Sequence, residues 1–124
     1  LITAATGACS ENVSITGPSP VSVGALNVTP QSARRGETVR FTFTVGNTEG
    51  YEVRWTLDIQ GQVEGTGNVG RTSQAAPQRT VTHEESATSL ISRYGTGSQR
   101  AALRVYDGRN DQTYSNQTVT FTLQ

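Results

Sequence analysis

The chain has 124 residues, enough for one domain around a single core. Hydrophobic residues make up 33% and charged residues 16%, and ten basic residues, every one of them Arg, balance ten acidic ones. That neutrality leaves no electrostatic footprint for a nucleic-acid backbone or an anionic membrane. No apolar run approaches the ~20 residues of a membrane helix. Neither nucleic-acid binding nor membrane insertion is therefore expected.

Residues 1–24, "LITAATGACSENVSITGPSPVSVG", are poor in charge and rich in Gly, Ser and Pro. Each proline favours an extended neighbour and removes a backbone donor, so the segment reads as an extended N-terminal arm or linker. Within it Val13 and Ile15 alternate with Ser14 and Thr16, enough for one short strand that could add to a neighbour's sheet edge. The chain contains no Met, so Leu1 is read as something other than a translation start. The one cysteine, Cys9, excludes an internal disulfide. "TGAC" is similar to the end of a bacterial lipoprotein signal, but Thr6 stands where Leu is usual, and a free thiol is the expected state.

Residues 25–124 carry regular strand signals. "ALNVTP" is a short apolar run stopped by Pro30, and "ARRGE" is a turn. "TVRFTFTV" sets Val39, Phe41, Phe43 and Val45 on one face and Thr38, Arg40, Thr42 and Thr44 on the other. "YEVRWTLDIQ" alternates likewise, with Tyr51, Val53, Trp55, Leu57 and Ile59 inward. The glycine-rich residues 61–70 leave room for one short, weak strand, and "QRTVTH" and "ATSLISRY" predict two more. "QRAALRVYD" turns Ala101, Leu103 and Val105 inward, and "NQTVTFTL" turns Val119, Phe121 and Leu123 inward. About seven short strands and no convincing helix predict an all-β, antiparallel two-sheet sandwich of immunoglobulin-like architecture, with Trp55 central in its core.

The runs "NVTPQSARRGETVRFTFTV", "VRWTLDIQG" and "RYGTGSQRAALRVYDG" resemble a PKD-type domain, a bacterial immunoglobulin-like sandwich, over residues 25–124. Trp55 and Leu57 match the family's Trp and apolar positions, Tyr94-Gly95-Thr96-Gly97 is similar to its Tyr-x-x-x-Gly pattern, and "LRVYD" to its strand ending in Asp. The family's Gly-Asp-Gly is replaced by Asp58-Ile59-Gln60-Gly61, and there a fibronectin-like or other sandwich stays open. The resemblance implies an extracellular or cell-surface, non-catalytic module for attachment, spacing or protein interaction.

Candidate chemistry is sparse. Asp107-Gly108 with Asn110 and Asp111 predicts a hairpin turn, and its spacing does not match a calcium loop. His83-Glu84-Glu85 reads as a surface loop entering the next strand, since adjacent strand residues face opposite ways. No second His or nearby Cys supports zinc, and no nucleophile elbow or phosphate loop is present. No catalytic residue, metal or cofactor is expected. Arg and Tyr content makes Arg54, Arg104, Tyr106, Arg109 and Tyr114 the candidate interaction face, with Tyr106 and Tyr114 both pointing outward; the alternative is a solvated face of cross-strand charge pairs. Its partner would be a protein or a surface glycan. Two further readings are a self-assembling structural subunit using Val13 and Ile15 of the arm, and a carbohydrate-binding accessory domain using Tyr106 and Tyr114.

Overall fold

The computed structural model describes residues 21–124. Cys9, Val13 and Ile15 lie outside them. Among the described residues nine strands and one short helix follow in the order β1 (Ser22–Val23), β2 (Asn27–Thr29), β3 (Ser32–Ala33), β4 (Thr38–Gly46), β5 (Val53–Ile59), β6 (Gln62–Asn68), β7 (Gln78–Ser86), α1 (Ala87–Tyr94), β8 (Gly97–Asp107) and β9 (Thr113–Leu123). One sheet runs β3-β9-β8-β5-β6. In the other, β1 and β2 share one side of β4 and β7 takes its opposite side. All pairings are antiparallel except β3 with β9, which is parallel. The result is the two-sheet, immunoglobulin-like sandwich. Pairing already begins at Ser22, within the segment that the sequence assigns to the arm, and Val21 is buried beside it.

The alternating segments bury the faces their period requires. Val39, Phe41, Phe43 and Val45 of β4 meet Val53, Trp55, Leu57 and Ile59 of β5, Ala101, Leu103 and Val105 of β8, and Phe121 and Leu123 of β9. Phe41 and Phe121 pack edge to face, their ring centroids 5.6 Å apart. Trp55 is buried toward one flank, between Phe43 and His83 and beneath strand β6. The glycines of β6 belong to that packing. A Cβ on Gly67 would lie 2.9 Å from the indole Nε1, and one on Gly65 would lie 2.7 Å from the His83 ring. The weak-looking "EGTG" therefore forms a true strand, because side chains there would collide with the two rings beneath it. At the β5–β6 hairpin Gln60 and Gly61 both have positive φ, 50° and 80°. A two-residue turn of that hand suits the twist of the strands and accounts for the departure at Asp58–Gly61.

The segment 87–94 is a helix, not the strand its composition predicts. Leu90, Ile91 and Ala87 are buried on one face, at the i, i+3, i+4 spacing of a helix. Ser86 caps the start through its side chain to the Ser89 amide, and the Gly95 amide closes the end on the Ile91 carbonyl at 2.8 Å. His83-Glu84-Glu85 also departs from expectation, lying within β7 rather than in a loop. Glu84 faces out to Arg40 at 2.7 Å, while His83 and Glu85, two residues apart, share the other face and bond at 2.7 Å.

Candidate functional site

The predicted interaction residues divide between two places. Arg54, Arg104 and Tyr106 stand together on the outer face of the five-stranded sheet. Register pairs Arg54 with Tyr106, and the Arg104 guanidinium lies 4.4 Å from the centre of the Tyr106 ring. Arg104 also donates to Thr113 Oγ1 at 2.9 Å and to the Asp111 carbonyl at 2.8 Å. Beside them is a shallow depression of about 420 Å³, lined by Thr56, Asp58, Ala102, Arg104 and Asn116 among others.

Tyr114 does not join that face. The ladder between β9 and β8 slips between Thr113 and Ser115, and the extra residue reverses the parity that alternation alone would assign. The phenol instead donates to Asp107 Oδ2 at 2.9 Å and packs on the core. Asp107 is buried, and its Oδ1 accepts from the Arg109 amide at 2.7 Å and the Asn110 amide at 3.4 Å. The Asp107-Gly108 segment is thus a turn organised by a buried carboxylate. The Arg109 amide, then the Tyr114 hydroxyl, hold that carboxyl below its ordinary range.

Three loops meet at this end of the sandwich: residues 47–52, 69–77 and 108–112. Buried Thr48 and Thr72 bond reciprocally, amide to hydroxyl, at 2.8 and 3.0 Å, and the Thr48 hydroxyl donates to the Gly70 carbonyl at 3.0 Å. The Asn47 amide donates to the Pro77 carbonyl at 3.2 Å. The Gly108 amide donates to the Glu52 carbonyl at 2.7 Å, and Arg109 reaches the Gly50 carbonyl at 3.4 Å. The loops are cross-tied before any partner arrives, which lowers the ordering cost of binding. Tyr51 stands half-buried between two depressions of about 280 and 420 Å³. Tyr51, inward by its alternation, does pack against the core from this end, whereas Arg71 carries no sequence signal because loop proximity leaves no periodic trace.

On the flank between β6 and β7, Glu64 accepts from both Arg93 and Tyr94 of α1, and Glu85 accepts from Arg93 at 3.2 Å and bonds His83. Burial first, then the hydrogen bond to Glu64, pushes the Tyr94 phenol up to about 12. Burial and the bond to Asp107 push Tyr114 to about 12 as well. A raised folded value stabilises the protein below the unfolded tyrosine's ~10, and that contribution is lost as pH rises through the folded value. Denaturant midpoints should therefore fall steeply between about pH 10 and 12. Tyr94→Phe and Tyr114→Phe should each remove one late phenolate step from the absorbance titration near 295 nm. Loss of an ordinary step at ~10 with the late steps left in place contradicts these hydrogen bonds.

No family model matches the chain, and no curated protein matches it in sequence. Solved structures share the sandwich. A CARDB domain from Pyrococcus furiosus, determined in complex with di-metal ions, superposes at a TM-score of 0.56 with 16% identity, covering 91% of this chain and 92% of that one. An alkylpurine DNA glycosylase, AlkC, from Pseudomonas fluorescens, bound to DNA containing an abasic site analog, gives 0.53 with 19% identity over 85% of this chain. A β-glucosidase from Erythrobacter marinus gives 0.53 with 14% identity over 84% of this chain. The chain spans 30% of the glycosylase chain and 15% of the glucosidase chain. At such identities the likeness is one of fold.

Proposed function

We propose that this sandwich is a non-enzymatic extracellular or cell-surface module, of PKD-like type, that mediates attachment or protein interaction. The observation that supports the reading is how the fold recurs. It fills nearly all of a CARDB domain yet only a small fraction of two enzyme chains, so it occurs as a unit joined to other parts. The chain's own chemistry agrees, since its one imidazole, His83, is engaged by Glu85 and held between the Phe41 and Trp55 rings. Fold alone assigns no activity, so recognition must reside in a local site. The cross-tied loop end suits that role better than the Tyr106–Tyr114 surface, whose two phenols diverge.

An antibody against residues 21–124 should label intact cells of the source organism, and brief external protease should abolish the label. Labelling only after permeabilisation overturns the surface assignment. The self-assembly reading draws on Val13 and Ile15, which lie outside the described residues.

A further inference from the structure

We propose that the loop end binds an acidic saccharide, seating a uronate carboxylate between Arg71 and Arg109 with the sugar ring against Tyr51. This rests on the attachment reading and names its ligand class.

Arg71 and Arg109 line the 280 Å³ depression together with Tyr51, Glu52 and Asn68. The Arg71 guanidinium and the Asn68 side-chain amide have no hydrogen-bond or ionic partner among the described residues. The Arg109 guanidinium makes only long contacts, 3.4 Å to the Gly50 carbonyl and 3.7 Å to Asp107. The lining carboxylate, Glu52, is engaged by Arg54 at 3.2 Å. Arg79 adds a fourth guanidinium close by, its Nε donating to the Arg71 carbonyl at 2.8 Å. Four guanidiniums thus gather at this end against the carboxylates of Glu49, Glu52 and Asp107, of which Glu52 and Asp107 already face Arg54 and Arg109. Planar guanidinium forks match a carboxylate in two-point contact.

The walls decide between a saccharide and a peptide. A protein interface needs a buried apolar or aromatic centre, and this end offers little beyond Tyr51 and Pro77. Across Tyr51 the 420 Å³ depression is lined by Asn47, Glu49, Thr72, Ser73, Gln74 and Pro77, whose polar side chains offer donors and acceptors to hydroxyls. One aromatic between a polar hollow and a mixed one is a pattern a pyranose fits, with its C–H face on the ring and its hydroxyls to either side. Alone, the smaller hollow falls below the ~300–1,000 Å³ of ordinary ligand sites; with its neighbour the pair lies within that range.

The test is native electrophoresis of the 124-residue protein in gels containing polygalacturonate, alginate, highly methyl-esterified polygalacturonate, dextran sulfate or polyglutamate, followed by calorimetry with oligogalacturonates. Polygalacturonate or alginate should retard the wild type, and esterification should abolish the effect. Arg71→Gln should weaken oligogalacturonate binding by about tenfold or more, as loss of a charge-assisted bond implies. An unchanged thermal midpoint for that variant separates binding from folding. The proposal is overturned by no retardation in either uronate gel, by equal retardation in the esterified polymer, or by an unaffected Arg71→Gln. Equal retardation by polyglutamate or dextran sulfate overturns it too, pointing to a peptide ligand or to charge alone. None of these outcomes bears on whether the antibody labels intact cells, so the two readings fail separately.

Discussion

Replacing Trp55 with alanine should destabilise the protein by about 3–5 kcal/mol, the range for emptying a buried aromatic site. The upper part of that range is expected because the site cannot collapse. The indole is only 7% exposed, meets Phe43 edge to face at 5.9 Å and His83 at 5.8 Å, and lies under a strand whose nearest residue is glycine. The residue of β6 that faces the indole has no side chain to fill the void. Gly67→Val tests the same geometry from the other side. In the wild type its Cβ meets the indole at 2.9 Å, and overpacking of that kind costs about 1–3 kcal/mol. In the Trp55→Ala background the same valine enters the cavity, so the two costs should not add and the double variant should be more stable than their sum. Urea denaturation followed by far-ultraviolet circular dichroism measures all four proteins, since Trp55 is the chain's one tryptophan and its loss removes the indole fluorescence. Strict additivity, or a Trp55→Ala cost under about 1 kcal/mol, would place the indole elsewhere.

Both the success and the failure of sequence reading have local causes here. Residues 38–45, 53–59 and 101–105 were legible because one face of each strand is buried and the other wet, so composition alternates with geometry. The helix at 87–94 was not, because Thr88, Ile91 and Tyr94 favour strands. Its true signals were the buried spacing of Ala87, Leu90 and Ile91 and the flanking Ser86 and Gly95. Tyr114 was misplaced by a bulge, which leaves the letters alternating while the backbone gains a residue. The pairing of His83 with Glu85 was within reach, since residues two apart on a strand share a face. The loop end was beyond reach, because its Tyr51, Arg71 and Arg109 come from three connections with no common period.

The flank cluster yields a second large effect, and one with an asymmetry. Glu64 on β6 has a side chain only 4% exposed, whereas its partner Arg93 on α1 is 43% exposed. Arg93→Met should therefore be the more damaging single change. It leaves a buried carboxylate held by the Tyr94 hydroxyl alone, and stranding a buried charge costs about 3–5 kcal/mol. Glu64→Gln should cost less, about 1–3 kcal/mol, because Arg93 can turn to solvent or keep Glu85, and the amide can still accept from Tyr94. Joining the two substitutions removes the isolated charge, so Glu64→Gln with Arg93→Met should be more stable than Arg93→Met alone. The physical reason is that the Arg93–Glu64 bridge mainly offsets the desolvation of its own carboxylate and adds little beyond that. What the cluster does contribute is position: it ties β6, the edge of one sheet, to the helix that follows β7, the edge of the other. Loss of that tie should also appear as faster amide exchange along β6 in the double variant, while β4 and β8 at the sheet centres keep their protection. An Arg93→Met protein as stable as the wild type, or a double variant less stable than either single change, would show that Glu64 reaches water and that the flank is open.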